Sequence, residues 1–417
     1  MADVIVLPDD APGATLVNLV DDAGPEQLRG VAAKAIPGDY RLAPASEWPA
    51  RLAGQGEALA LAWAQGTYRF DRYKSAPAPA APRLVAPEGV DAGRVNILAT
   101  ACALARDMVN TPANDMGPAE IEGAARTLAA AHGATIAVVL GDDLPAAGYP
   151  AVHAVGRAAA PHRAPRMIEL TWGEPGHPKV VIVGKGVAFD SGGLDIKPSS
   201  GMRLMKKDMG GAAHALGLAA MVMSLQVPVN LTVLIPAVEN AISGDAMRPG
   251  DVLASRKGLS IEVGNTDAEG RLILADALTR AGELQPDLTV DLATLTGAAR
   301  VALGPQVIPF FTDDESLAAS LASASAAVDD PLWRMPLWQG YAGALDSDIA
   351  DIKNDPDAWA QAGSVTAALF LQRFAPTGAW AHFDVFAWNP KSRPGRPVGA
   401  EAQAIRAILA TLEARYR

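Results

Sequence analysis

The sequence predicts an α/β protein whose larger, C-terminal domain has a central, mostly parallel mixed sheet with helices on both faces. Two patterns support this fold class: short apolar runs rich in β-branched residues recur along the chain, and stretches with helical spacing separate them. Strands that are apolar throughout are buried on both faces, as in parallel sheets whose strands are connected by helices. The chain has 417 residues, and 50% of its residues are apolar. This length is too great for one ordinary hydrophobic core, so we expect two domains.

The first domain is expected to span residues 1–90 and to be a small α/β unit. It begins with the apolar run VIVLP, which is typical of a short strand, and continues with a helical pattern from Ala58 that meets Gly66. Several prolines and alanines between Lys74 and Gly89 suit an extended connection and disfavour a helix. We therefore place the domain boundary near the end of that segment.

The second domain is expected to span residues 91–417 and to open with a helix at 91–110 that links the two domains. Apolar residues recur there at helical spacing, and the Asn-Thr-Pro sequence at Asn110–Pro112 ends the pattern. Helical patterns follow at Gly210–Leu225 and Glu269–Leu284. Four apolar runs predict buried strands: Thr135–Leu140, Lys179–Gly184, Leu231–Val238 and Leu288–Leu295.

Charge, cysteine content and hydropathy argue against several classes of protein. The net charge of -11 disfavours nucleic-acid binding through a general basic surface, although a local basic patch stays open. Cys102 is the single cysteine, so neither an internal disulfide nor a cysteine zinc cluster can form, and we expect a reducing, cytoplasmic location. The N-terminus lacks the basic start of a signal peptide. The apolar stretch Ala215–Val238 contains polar residues and a proline, which predicts helix, turn and strand and argues against a membrane span.

Polar residues follow the predicted strands where ligands bind in parallel sheets, beyond the carboxyl ends. Taken singly, they have ordinary structural explanations: Asp208 is typical of a helix N-cap, and Asp267 and Glu269 are favourable charges at the start of the next helix. Lysine in the Gly-Lys-Gly sequence is typical of an ion pair or a phosphate contact, but the full phosphate-loop pattern is absent. The residues concerned are Lys185, Asp190 and Lys197 in a glycine-rich loop, Asp208 before a helix of small residues, and Asp267, Glu269 and Arg271 in the stretch NTDAEGR.

Taken together, these residues predict a metal site. Four carboxylates that converged without cations would repel one another strongly, so convergence implies divalent ions, with zinc, manganese, magnesium and cobalt all open. Two such ions can activate water and polarise a carbonyl or phosphoryl oxygen, and Lys197 and Arg271 would stabilise developing negative charge. No pair of histidines has metal-binding spacing, and His214 is expected to be structural. The residues alone thus predict a dinuclear metallohydrolase and leave the substrate open.

The sequence blocks around these residues resemble the leucyl aminopeptidases, the two-metal cytosol aminopeptidases. The resemblance rests on NTDAEGRL at Asn265–Leu272, on VGKG, FDSGG and KP between Val183 and Pro198, and on DMGGAA at Asp208–Ala213. It runs from about Gly93 to the C-terminus. Further matching blocks lie at Ala105–Asp115, Ile242–Val252, Ala293–Ala298 and Arg393–Ala400.

The resemblance implies that five side chains are metal ligands. One ion would be held by Asp190, Glu269 and Asp267, whose backbone carbonyl also coordinates, and the other by Lys185, Asp190, Asp208 and Glu269. Asp190 and Glu269 would then bridge the two ions. A lysine ligand must be neutral, and two nearby dications can lower its pKa from the ordinary value of about 10.4.

The resemblance also implies roles in catalysis and substrate binding. Lys197 would stabilise the tetrahedral intermediate, and Arg271 would hold a bicarbonate ion that acts as general base. The peptide substrate would contact Met205, Thr294, Leu295 and Gly297, with leucine or another apolar residue preferred at its N-terminus. Zinc or manganese is the expected metal, and a homohexamer the expected assembly.

The N-terminal region departs from the family pattern. Family members commonly carry a larger N-terminal domain that resembles a macro domain, so residues 1–90 are expected to be a trimmed version of it. Two alternatives to a general leucine aminopeptidase stay open: a narrow dipeptidase for substrates such as Cys-Gly, and a DNA-binding or regulatory protein on the same scaffold.

Overall fold

The computed structural model describes residues 3–8, 15–18, 24–43, 45–48, 50–76, 79–356 and 361–417. Internal contacts divide the chain into two compact units. The first unit comprises Met1–Asp107 and Asn389–Glu401, and the second comprises Met108–Trp388 and Ala402–Arg417. The boundary near residue 90 and the likeness of residues 1–90 to a macro domain stay predictions, and part of the proline-rich connection, residues 77 and 78, lies outside the described residues.

The first unit contains a small sheet with strand order β2-β1-β3-β4, in which β1 is antiparallel to β2 and β3, and β3 is parallel to β4. The predicted VIVLP strand forms most of β1. Leu28, Leu59 and Trp63 are buried in its core, with the Trp63 ring 5.0 Å from that of Tyr40. Up to Leu84 its strands and helices are β1 (Asp3–Pro8), β2 (Thr15–Asn18), α1 (Glu26–Ala32), β3 (Asp39–Leu42), α2 (Gly56–Gly66) and β4 (Arg83–Leu84).

The helix predicted at 91–110 is α3 (Ala92–Asn110), which crosses the boundary between the two units along the chain.

The strands of the second unit are β5 (Thr135–Leu140), β6 (Arg166–Trp172), β7 (Lys179–Gly184), β8 (Gly186–Asp190), β9 (Asn230–Asn240), β10 (Val252–Ala254), β11 (Ser260–Glu262), β12 (Leu288–Ala293), β13 (Ile308–Phe311), β14 (Leu332–Arg334), β15 (Ile352–Lys353) and β16 (Ala379–Asp384). Its helices are α4 (Pro118–His132), α5 (Asp143–Ala146), α6 (Pro150–Gly156), α7 (Ser199–Met202), α8 (Gly210–Ser224), α9 (Glu269–Glu283), α10 (Gly297–Leu303), α11 (Glu315–Val328), α12 (Gly363–Gln372) and α13 (Ile405–Tyr416).

The predicted mixed, mostly parallel sheet is confirmed. Its strand order is β14-β13-β16-β12-β7-β9-β6-β5, with β8 also pairing with β9. The central strands β16, β12, β7 and β9 are parallel, whereas β6 and β5 are antiparallel to their neighbours. Strands β7, β9 and β12 are buried at nearly every position, because helices cover both faces of the sheet.

The predicted strands and helices coincide with β5, β7, β9, β12, α8 and α9 to within a few residues at each end. The stretch Ala215–Val238 forms the end of α8, a turn and β9, as predicted, and none of the described helices is long and apolar enough to cross a bilayer. One prediction was wrong. The segment after β7 is not wholly a glycine-rich loop, because Gly186–Asp190 forms β8, which pairs with β9.

Candidate metal centre and substrate pocket

The four predicted carboxylates converge at one edge of the large sheet. Asp190 is the last residue of β8, Asp208 lies in a 3₁₀ segment that leads into α8, and Glu269 is the first residue of α9. Asp267 lies in the loop just before α9. Asp190, Asp267 and Glu269 each offer an oxygen within 4.8 Å of the others, and Asp190, Asp208 and Glu269 are almost fully buried.

Two lysines alternate with these carboxylates. Lys185 Nζ lies 2.7 Å from Asp208 Oδ2 and 3.0 Å from Glu269 Oε1. Lys197 Nζ lies 2.8 Å from Asp190 Oδ2 and also contacts Asp267 Oδ1. The two ammonium groups thus offset part of the charge that the carboxylates bring together.

The pKa values of the cluster show how crowded its charges are. Burial, reinforced by the charge of Asp190, raises the pKa of Glu269 to about 8 and that of Asp267 to about 6. Burial alone would lower the pKa of Lys185, but the charges of Asp208, Glu269 and Asp190 outweigh it and raise that pKa. Without added cations the crowded charges therefore favour proton uptake by Glu269 and Asp267.

The side chains present fit divalent cations. Among the described residues, Asp208 Oδ2 and both Glu269 oxygens are buried without a hydrogen bond of good geometry, although Lys185 lies close to two of these atoms. Buried carboxylate oxygens normally have partners, and leaving them without one is costly. Oxygen donors from several carboxylates, with one amine, are a ligand set for Zn²⁺, Mn²⁺ or Mg²⁺.

Two asparagines, which the sequence did not reveal as part of the site, hold the segments that carry the candidate ligands. Asn240 Nδ2, at the end of β9, donates to Asp190 Oδ1 at 2.8 Å and to the Thr266 carbonyl at 3.1 Å. Asn354 Oδ1 accepts from the backbone N–H groups of Gly264 and Asn265, at 2.8 and 3.3 Å. Its Nδ2 donates to the carbonyls of Asn265 and Ala268, at 2.7 and 3.2 Å.

Arg271 lies half a turn into α9 and is buried. Its Nη1 donates to the Asn354 carbonyl and is 3.8 Å from Asp355 Oδ1. Its Nε is a buried donor without a hydrogen-bond partner among the described residues. Burial lowers the pKa of Arg271, against the opposing charges of Asp355 and Glu269. A buried guanidinium with an unused donor fits a small anion.

A cavity of about 530 Å³ opens onto the cluster. The structure places every predicted site residue on its lining except Glu269, which is 1% exposed and contacts Lys185 of the lining. The four predicted substrate contacts, Met205, Thr294, Leu295 and Gly297, thus share one pocket with the carboxylates.

The loop that carries three of those contacts is fixed from both sides. Thr294 Oγ1 donates to Asp208 Oδ1 at 2.8 Å. Asp384, at the end of β16, accepts from the N–H groups of Leu295 and Thr296 at 2.9 and 3.2 Å, and from the Thr296 hydroxyl at 2.6 Å. Asp384 is the last residue of β16, a parallel strand next to β12, so its position along the chain could have identified it once β16 was recognised.

The pocket also contains cations that the sequence did not single out. Lys207 is 6% exposed, and its Nζ lies 3.5 Å from Asp208 Oδ1 and 5.7 Å from the centroid of the Phe386 ring. Arg300 lies 5.0 Å from that centroid. Burial lowers the pKa of Lys207, against the opposing charge of Asp208. The Phe386 ring thus forms an apolar part of the lining with positive groups nearby.

Two glycines explain why small residues surround the candidate ligands. A Cβ on Gly211 would lie 2.1 Å from the Leu292 carbonyl oxygen, so only glycine lets α8 approach β12 this closely. A Cβ on Gly270 would lie 2.5 Å from Lys185 Cε, so glycine leaves the space that the Lys185 side chain occupies. Both glycines belong to the blocks that carry the family resemblance.

Comparison with known proteins agrees with the geometry. The model of the catalytic domain of the cytosol aminopeptidase family matches residues 103–409. This chain belongs to the cytosol aminopeptidase family. As a family member it is a hydrolase, a metal-dependent aminopeptidase that acts on peptides.

The relatives support this assignment over most of the chain. A probable cytosol aminopeptidase from Syntrophotalea carbinolica is 42% identical over 364 residues, covering 83% of this chain and 72% of the relative. The crystal structure of the cytosol aminopeptidase from Coxiella burnetii has a TM-score of 0.91 and 45% identity, and covers 99% of this chain and 89% of that one. The bottromycin maturation enzyme BotP in complex with Mn has a TM-score of 0.89 and 36% identity, and covers 99% of this chain and 93% of its own.

Proposed function

We propose that this aminopeptidase removes leucine or another apolar residue from the N-terminus of peptides with the help of two divalent ions and bicarbonate. The observation that carries the proposal is the cluster at one pocket of four carboxylates and Lys185, of which only Asp267 is not buried. Four carboxylates this close repel one another and are unfavourable unless cations offset their charge. A protein that only binds peptides would gain nothing from such a cluster.

The ligand assignment follows the sequence resemblance. Asp190, Asp267 and Glu269 would hold one ion, and Lys185, Asp190, Asp208 and Glu269 the other. The convergence of three of these carboxylates within 4.8 Å supports the first set, and the contacts of Lys185 with Asp208 and Glu269 support the second. Zinc or manganese is expected, with magnesium or cobalt as alternatives, and the Mn complex of BotP favours manganese.

When bound, the two ions would supply Lewis-acid activation of water and of the peptide carbonyl. The chain's own residues then have separate tasks. Lys197, half-buried on the pocket lining, would place its ammonium beside the carbonyl oxygen as negative charge develops there. Arg271 would hold bicarbonate as the proton acceptor, a role that its unused Nε donor supports.

Substrate selectivity would come from the pocket above the cluster. Met205, Leu295 and Gly297 offer an apolar surface for the first side chain, and the loop of Thr294 and Leu295 offers backbone groups for the peptide. Asp384 keeps that loop in place through three hydrogen bonds. We further propose a homohexamer in the cytoplasm, in line with the family resemblance and with the name of the relatives.

Hydrolysis of leucine-p-nitroanilide by the purified protein, with added Mn²⁺ or Zn²⁺, tests this proposal. Asp267→Ala should abolish turnover, whereas Asp348→Ala, which removes an exposed carboxylate, should leave it unchanged. Turnover by Asp267→Ala at the wild-type rate would refute the ligand assignment. A panel of peptides and dipeptides, including Cys-Gly, would separate a general apolar preference from a narrow dipeptidase.

A further inference from the structure

Arg300 is a cation on the lining of the pocket to which neither the sequence nor the proposed function gives a role. It lies in α10, three residues after Gly297, and it is exposed to solvent. Residues three apart on a helix are neighbours on one face, so Arg300 borders a proposed substrate contact. Its guanidinium can therefore meet a bound peptide.

Arg300 differs from the other cations of the lining in its surroundings. No carboxylate of the described residues lies within 4.0 Å of its nitrogens, and none of them accepts a hydrogen bond from it. Each of the other lining cations has at least one carboxylate within that distance. The pairs are Lys185 with Asp208 and Glu269, Lys197 with Asp190 and Asp267, Lys207 with Asp208, and Arg271 with Asp355.

The Phe386 ring holds the guanidinium of Arg300 in place. The Cζ atom of Arg300 lies 5.0 Å from the ring centroid, inside the range of about 6 Å for a cation–π contact. Phe386 is 9% exposed, and the N–H of Val385 before it donates to the Ala293 carbonyl at 2.8 Å, so the ring projects from a fixed backbone. A cation–π contact occupies no carboxylate or carbonyl acceptor, so the N–H groups of Arg300 can still donate to an anion.

The charge of the pocket also favours a substrate with a negative group. Its described lining contains five cations and four carboxylates. With two divalent ions bound and Lys185 neutral, the pocket and Glu269 together would carry more positive than negative charge. A cleft with one dominant sign of charge attracts ligands of the opposite sign, and Arg300 is the cation whose charge no neighbouring carboxylate offsets.

We propose that Arg300 binds a carboxylate of the substrate on the leaving-group side of the scissile bond, so that the enzyme favours peptides that are acidic there. This inference rests on the proposed function, in which an apolar first side chain lies against Met205, Leu295 and Gly297. The carboxylate then belongs to the second residue, either as an acidic side chain or as the free C-terminus of a dipeptide. A guanidinium fork matches both, because it donates two parallel hydrogen bonds to a carboxylate.

Hydrolysis of two pairs of peptides by the purified full-length protein with Mn²⁺ tests this inference. Leu-Glu-NH₂ and Leu-Gln-NH₂ differ in the charge of the second side chain, and Leu-Gly and Leu-Gly-NH₂ differ in the charge of the C-terminus. The wild type should prefer the acidic member of at least one pair about five-fold in kcat/KM, as for a solvent-exposed ion pair. The pair that shows the preference identifies the source of the carboxylate, and the preference should shrink as salt is added.

Substitutions of Arg300 should change this preference in a graded way. Arg300→Gln should abolish it, Arg300→Lys should keep part of it, and Arg300→Glu should reverse it towards the neutral peptide. The side chain is exposed, so all three variants should unfold at the wild-type temperature. Arg373→Gln removes an exposed cation that does not line the pocket, and it should keep the wild-type preference.

Equal kcat/KM values for both members of each pair in the wild type would overturn the inference and leave the proposed function intact. A preference that persists in Arg300→Gln, or that is lost equally in Arg373→Gln, would overturn it too. So would an effect of Arg300→Gln confined to peptides that begin with glutamate, such as Glu-Gly-NH₂, because the carboxylate would then belong to the first residue. If the metal-loaded wild type hydrolyses none of these peptides, the proposed function itself is refuted, and this inference with it.

Discussion

Replacing Asn354 with alanine tests whether this residue positions the proposed metal-ligand loop. The side chain is fully buried and makes four hydrogen bonds with the segment from Gly264 to Ala268, which contains Asp267. Two of them are short, at 2.8 and 2.7 Å, and two are long, at 3.3 and 3.2 Å. At about 1 kcal/mol per bond, with less for the long ones, the free energy of unfolding should fall by about 2–4 kcal/mol.

A positioning role predicts a further effect that a loss of stability alone does not produce. Residues that orient metal ligands typically change metal affinity by about 10- to 100-fold when they are removed. We therefore expect Asn354→Ala to bind Mn²⁺ at least about ten-fold more weakly in a calorimetric titration of folded protein. The value of kcat should fall even at saturating metal, because Asp267 and the start of α9 are less well held.

Asn389→Ala is the matched control. Asn389 is 3% exposed and donates two hydrogen bonds, to the carbonyls of Arg396 and Pro397 at 2.6 and 2.8 Å, in the first unit. The Asn389→Ala variant should have a lower free energy of unfolding in urea, and it should bind Mn²⁺ with the wild-type affinity. Wild-type Mn²⁺ affinity in Asn354→Ala, or an equal loss of affinity in Asn389→Ala, would refute the reasoning.

Three further predictions concern stability and metal. Asp276→Ala removes the acceptor of three backbone N–H groups and should cost about 3 kcal/mol in urea unfolding, and an unchanged midpoint would contradict this. Burial alone would lower the pKa of His382, but the Asp291 carboxylate 2.5 Å away outweighs it and raises that pKa. The resulting stabilisation should be complete below about pH 6.5 and decline as pH rises through the folded pKa, and His382→Gln should lose this dependence. Chelation should abolish hydrolysis and lower the thermal unfolding midpoint, and Mn²⁺ should restore both; full activity after chelation would rule out metal dependence.

The sequence predicted those strands and helices in which an apolar run or a helical spacing of apolar residues continued without interruption. Strands β7, β9 and β12 are mainly apolar and buried at nearly every position, because helices cover both faces of the sheet, and polar residues follow each run. The candidate ligands follow those ends, so their convergence could be expected from the topology of a parallel sheet. Strand β8 was missed because Lys185 precedes it, and Ser191 and two glycines follow it. Such flanking residues are typical of a loop.

The residues that hold the candidate ligands in place could not be predicted in the same way. Asn354 follows a two-residue strand and is 89 positions from Asn265, with no local pattern that sets it apart from a turn asparagine. Likewise, nothing in the segment Asn389–Glu401 indicates that it belongs with the first unit, because the bond between Arg29 and Glu401 joins residues 372 positions apart. Such contacts depend on the completed fold and leave no periodicity in the sequence.

The space that Gly270 leaves for Lys185 links two positions that are 85 residues apart in the sequence. Any side chain at position 270 would displace the lysine, and a shorter residue at position 185 would leave a gap beside Glu269. Neither position can change alone without loss, so natural variation should show them changing together or not at all. An engineer who wishes to replace the proposed amine ligand, Lys185, with another donor must therefore redesign the first turn of α9 in the same step.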